Sequence, residues 1–143
     1  MKRQIEIRAH HLLCLPRFYC GGYNKEFGSN LKNICMKIRK KPNLKIKVTS
    51  ECDAVCEKCP YKKDGICKKT PKLNEWILRQ DYKIFSKLKV KKGSVYEAMD
   101  IFNRSIENFT SENLREICKW CVFLRNCLKV GINKSFKKDL NKN

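Results

Sequence analysis

Ten cysteines in 143 residues constrain this chain more than any other feature. Seven of them form two groups: Cys52-x3-Cys56-x2-Cys59-Pro60 with Cys67 following, and Cys118-x2-Cys121-x5-Cys127. A C-x2-C spacing lets a tight turn present two sulfurs to one metal or cluster, and two distant groups together complete a site that neither closes alone. Cysteine at this density signals disulfides or metal rather than packing. The choice between them follows from the compartment. Leu12-Leu13-Cys14-Leu15 is too short for a signal-peptide core and is flanked by His10, His11 and Arg17. No apolar run approaches the ~18 residues of a membrane span. The expectation is a cytoplasmic chain away from the membrane, with its thiols reduced and engaged by metal.

The apolar pattern predicts a mainly helical α+β fold. Ile5-Glu6-Ile7 alternates as a short strand, and Leu44, Ile46 and Val48 alternate as a second. His10 to Phe18 reads as a helix that Pro16 kinks or ends. Gly21-Gly22 marks a turn. Leu31, Ile34, Cys35 and Ile38 form a helical stripe within 30–41, stopped by Pro42. Residues 52–67 read as a loop. Leu73, Trp76, Ile77, Ile84, Phe85 and Leu88 predict a helix over 73–88. Ser94 and Glu97 match a capping box for a helix through Ile106, and Ser111-Glu112 opens a last short helix toward Cys118. The predicted architecture is one small metal-stapled domain over residues 1–130, with one or two short strands in its N-terminal half. Residues 131–143 are expected to be a polar, basic, frayed tail.

Thiolate-rich sites suit both Zn²⁺ and iron–sulfur centres, and the spacing does not choose between them. Six or seven candidate ligands exceed one four-ligand site and fall short of two all-cysteine sites. A [4Fe–4S] cluster with spare cysteines fits, as do two sites sharing histidines. Cys35 lies on an apolar stripe and reads as core. Cys52 completes a C-x3-C-x2-C pattern like that of radical enzymes using S-adenosylmethionine, but the chain is too short for their barrel.

Arg8-Ala9-His10-His11-Leu12-Leu13-Cys14-Leu15, joined to Gly22-Tyr23, Cys56, Cys67 and Cys118-x2-Cys121-x5-Cys127, resembles an uncharacterised family, domain of unknown function 1284. Iron–sulfur binding is ascribed to that family from its cysteine pattern. The resemblance spans about residues 4 to 128. It implies Cys14, Cys56, Cys67, Cys118, Cys121 and Cys127 as the ligand set, with Cys59 added although some relatives lack a cysteine there. Cys20, Cys35 and Cys52 look particular to this chain. Pro16 departs from the apolar run of the relatives.

His10 and His11 are the only histidines, and on a helix both share the face of Cys14. They read as metal ligands, as donors to a cluster sulfur, as acid/base groups, or as one buried and one exposed structural histidine. Arg8 reads as a partner for a carboxylate or anion, or as a surface residue. The formal charge of +19 first suggests nucleic acid. However, the chain has 25 Lys against 8 Arg, with 12 Asn, 12 Ile and 3 Ala, which matches AT-rich codon supply, and the charge is spread along the chain. No nucleic-acid-binding motif accompanies it.

The sequence thus favours a [4Fe–4S] protein, its cluster structural or electron-transferring, served by a redox partner protein. A zinc-stapled interaction or nucleic-acid module and a small metalloenzyme using His10 and His11 are the alternatives. No Gly-rich phosphate cradle, nucleophile elbow or paired-carboxylate pattern names a reaction.

Overall fold

In the computed structural model, residues 4–18, 24–50, 53–54, 62–63, 66–67, 73–119 and 124–141 are described. The Gly21-Gly22 turn and most of the 52–67 loop lie outside them.

Strand β1 (Gln4–Arg8) pairs in parallel with β2 (Lys45–Thr49), Ile5 opposite Ile46 and Ile7 opposite Val48. Both strands therefore end together, at Arg8 and Thr49. Between them the chain forms α1 (His11–Cys14), a 3-10 turn (Leu15–Arg17) and α2 (Lys25–Lys40). Pro16 sits in the first turn of the 3-10 helix, where an N–H would have no intrahelical acceptor, so its absence costs nothing. Helix α2 begins earlier than its apolar stripe alone predicts. Asn24 caps it by accepting from the Phe27 N–H at 2.8 Å, and Phe27 extends the buried face of Leu31, Ile34, Cys35 and Ile38. Glu26 at its start and Lys37, Arg39 and Lys40 at its end complement the helix dipole.

The 52–67 segment contains a two-residue ladder, β3 (Lys62–Lys63) against β4 (Ile66–Cys67), where a loop was expected. Helix α3 (Leu73–Leu88) follows, over its predicted range.

Ser94 and Glu97 do not form the predicted capping box. Val95–Glu97 is a third strand, β5, antiparallel to β2, and α4 (Ala98–Asn108) starts after it with no side-chain cap from Glu97. Backbone pairing with β2 overrides the local capping preference. The capping box lies instead at Thr110 and Asn113, opening α5 (Ser111–Ile117).

Helix α6 (Leu124–Val130) leads to α7 (Lys134–Leu140). The tail is therefore not frayed over these residues. Asn133 caps α7, its N–H donates to the Pro16 carbonyl at 2.7 Å, and its side chain donates to the Phe18 carbonyl at 2.8 Å. Phe136 and Leu140 are fully buried, and Phe136 meets Phe102 edge-on at 5.7 Å. Two apolar residues one turn apart supply the burial that the polar composition conceals.

The whole is α+β, mainly α. One core joins the β1–β2 face, α1, α2, α4 and α7, with Ile84, Phe85 and Leu88 of α3 added. The Ser105 hydroxyl donates to the Leu12 carbonyl at 2.7 Å and fixes α1 against α4. Among the described residues no helix is long and apolar enough to cross a membrane.

Candidate functional site

The carboxyl ends of β1 and β2 carry a buried polar cluster. Arg8 ends β1, and its Nε donates to Asp81 Oδ2 at 2.7 Å. Asp81, on the buried face of α3, also accepts through Oδ1 from the His10 N–H at 3.1 Å and lies 3.0 Å from His10 Nδ1. Asp53, just beyond β2, accepts from the Arg8 N–H at 2.6 Å and lies 2.7 Å from His11 Nδ1. The two imidazole rings meet edge-on, centroids 4.2 Å apart.

The protonation states follow from these contacts. Burial pushes Asp53 up, but the charge and hydrogen bond of His11, with the Arg8 N–H, outweigh it and hold its carboxyl at about 2. Burial likewise opposes ionisation of Asp81, yet His10 and then Arg8 pull it below the ordinary carboxylate range. Burial, then the neighbouring His11 charge, pushes His10 down to about 4 against the pull of Asp81. At neutral pH both carboxylates are ionised and can only accept, so Nδ1 of each imidazole carries the proton. In a neutral ring the lone pair is then at Nε2. Carboxylate-backed imidazole of this kind is what metal ligation and proton transfer both require.

Past α1 lies a different arrangement. Arg17 is buried, and its guanidinium donates to the carbonyls of Leu13 at 2.7 Å and Phe109 at 3.5 Å. Among the described residues no carboxylate forms an ion pair with it. Burial lowers its pKa, while Cys14, Cys127 and Cys118 lie close enough for their thiolate charges to raise it. Those cysteines come from α1, the end of α5 and α6. None of the three is in a disulfide. Cys14 Sγ also donates to the His10 carbonyl at 3.5 Å, which links the two arrangements.

Of the seven predicted ligands, Cys14, Cys118 and Cys127 are the ones whose charge bears on the buried Arg17. Cys56, Cys59 and Cys121 lie outside the described residues, as do Cys20 and Cys52, and Cys67 is described only as the last residue of β4. Among the described residues no three His, Cys, Asp or Glu side chains are arranged to hold a metal ion. Cys35 is core: burial pushes its thiol up to about 12. Sequence reasoning missed Asp53, Asp81 and the charge role of Arg17. For Asp81 a signal existed, since it sits on the helical face of Ile77, Ile84 and Leu88, where an acid is out of place unless paired. Asp53 carried no comparable signal.

A family model described as a protein of unknown function (DUF1284) matches residues 22–127. The match begins after the His10–Cys14 stretch and includes both cysteine groups. No curated protein and no solved structure matches the chain.

Proposed function

Because the chain belongs to the family of proteins of unknown function DUF1284, we propose that it is a cytoplasmic iron–sulfur protein. In this reading it holds one [4Fe–4S] cluster through ligands drawn from Cys14, Cys56, Cys59, Cys67, Cys118, Cys121 and Cys127. The observation that supports the reading is that the charges of Cys14, Cys118 and Cys127, from three separate segments, all bear on the buried Arg17. A buried cation without a carboxylate partner among the described residues favours anionic sulfur beside it. Four thiolates on a [4Fe–4S]²⁺ core leave a net charge of −2, of which a guanidinium offsets one unit, so the donor chemistry fits. When bound, such a cluster staples the ligating segments and carries an electron for a redox partner protein.

The chain's own residues do the rest. Arg17 is fixed by the Leu13 and Phe109 carbonyls and supplies a fixed positive charge beside the thiols. Ser105 anchors the backbone of α1, which carries Cys14.

Anaerobic purification followed by iron, sulfide and zinc analysis and a visible spectrum tests the proposal. The expected result is about four iron per chain with broad absorbance near ~400 nm. Stoichiometric zinc without iron sinks it and leaves the zinc-stapled module.

The carboxylate-backed histidines favour a second reading, a small metalloenzyme in which His10 and His11 are ligands. Loss of metal from both His10→Ala and His11→Ala supports that reading. Full iron retention in both variants removes their ligand role.

A further inference from the structure

Charge that is spread along the sequence is gathered on one helix face by the fold. Helix α3 buries Ile77, Gln80, Asp81, Ile84, Phe85 and Leu88. Its exposed residues Arg79, Tyr82, Lys83, Ser86 and Lys87 fall at i, i+3, i+4, i+7 and i+8, so they share one face over about 12 Å of helix. Ring contacts tie this face to the chain around α5. Lys87 lies 5.8 Å from the ring centre of Phe109, before α5, and Lys119, after α5, lies 4.6 Å from that of Trp76. Arg79 approaches the same indole at 5.9 Å, so Lys119 and Arg79 flank one ring. Among the described residues Arg79, Lys83, Lys87 and Lys119 form no ion pair with a carboxylate. Of the exposed acids on α3 and α5, Glu112 is engaged by Arg115, which leaves Glu75 and Glu116 against these four cations. Beside them Tyr82 is 53% exposed, its ring edge-on to the buried Phe85 at 6.0 Å.

We propose that this face binds single-stranded nucleic acid, with Arg79, Lys83, Lys87 and Lys119 along the phosphates and an unpaired base stacked on Tyr82. Charge complementarity selects a polyanion, and exposed cations without carboxylate partners are what phosphate neutralisation uses. The exposed aromatic ring selects the strand form. A base can stack on a side chain only when it is free of its own duplex stack. A membrane surface fits less well, because the apolar side of α3 is spent on the core and leaves no apolar face to insert. A protein partner fits less well too, since lysine is depleted from the cores of protein interfaces. The face is built from exposed side chains and does not rest on the iron–sulfur reading.

Fluorescence anisotropy with a labelled single-stranded RNA of about 12 nucleotides, on the protein as isolated with its metal content measured, tests the assignment. Affinity is expected to fall about 20- to 50-fold between ~50 and ~200 mM salt, the dependence of three or four phosphate contacts. The matched duplex is expected to bind several-fold more weakly. Lys83→Glu with Lys87→Glu is expected to weaken the single strand at least about tenfold and to flatten the salt dependence. Tyr82→Ala is expected to weaken it about fivefold with the salt dependence kept, as loss of stacking requires. Lys37→Glu with Lys134→Glu makes the same charge change at exposed positions of α2 and α7 and is expected to cost no more than about twofold. Absence of binding at ~50 mM salt overturns the proposal. So do equal affinity for the duplex, undiminished binding by Tyr82→Ala, or an equal loss from the α2 and α7 variant. Tighter binding to phosphatidylserine vesicles than to the RNA also overturns it, in favour of a membrane surface.

Discussion

Arg8 and Arg17 are both buried, at 2% and 5% exposure, on either side of α1, yet their surroundings differ in kind. Arg8 shares Asp81 with His10, and Asp53 serves His11 and the Arg8 backbone, so protein carboxylates balance that charge. Arg17 bonds two neutral carbonyls, and the groups whose charge reaches it are Cys14, Cys127 and Cys118. Desolvated charge has to be matched either within the fold or by whatever the fold binds. The difference separates a region charge-balanced by its own carboxylates from one in which neutral carbonyls and nearby cysteines surround the cation, the region on which the metal proposal rests.

Removing a carboxylate from the first region gives the largest expected effect. Asp81→Ala leaves the Arg8 guanidinium buried without its counter-charge and is expected to cost about 3–5 kcal/mol in urea unfolding. A cost near zero would mean that Arg8 reaches water and would break the contrast. Acidification comes next. His10 is held at about 4, below its ordinary 6.5, so the unfolded chain binds its proton first. Its contribution is therefore complete above pH 6.5 and is lost as pH falls toward 4, by about 3 kcal/mol. Asp53, lowered from 3.8 to about 2, extends the loss to lower pH with the same sign. His10→Asn should flatten the upper part of the stability–pH profile and spare the lower part.

The uneven legibility of the two regions has a physical cause. Strands β1 and β2 and helix α3 show in the sequence because alternation and the 3.6-residue stripe are local. Strand β5 does not, because Ser94-x2-Glu97 satisfies a helix-capping pattern and only pairing with β2 decides against it. The cysteines announce themselves by spacing. Asp81 and Asp53 pair with Arg8 and His11 across 73 and 42 residues, and no local pattern encodes partners so distant. Arg17 looked like one more basic residue on a basic chain, and only the fold shows that it is buried and within reach of cysteine charge.

Arg17→Met probes the second region. The change leaves the Leu13 and Phe109 carbonyls without that donor, at an expected cost of about 1–2 kcal/mol. Because methionine brings no uncompensated charge, this loss should be smaller than that of Asp81→Ala. Metal retention during desalting should fall, since the thiolates lose the cation beside them. Equal costs for the two variants, with unchanged metal retention, would show that the regions are balanced in the same way.

The smallest expected effect belongs to Cys35→Ala, which separates thiols that pack from thiols that face charge. The Cys35 thiol is buried among apolar side chains, makes a long contact of 3.8 Å to the Leu15 carbonyl, and resists ionisation because burial pushes it up to about 12. Alanine there removes one buried group, worth about 1 kcal/mol by analogy with single-methylene deletions. Metal content should not change. Cys14→Ala, from a half-buried position whose thiolate charge reaches Arg17, should reverse the pattern, with loss of metal exceeding what its packing alone explains. If Cys35→Ala lost metal to the same degree, the separation of the two thiol classes by their electrostatic surroundings would fail.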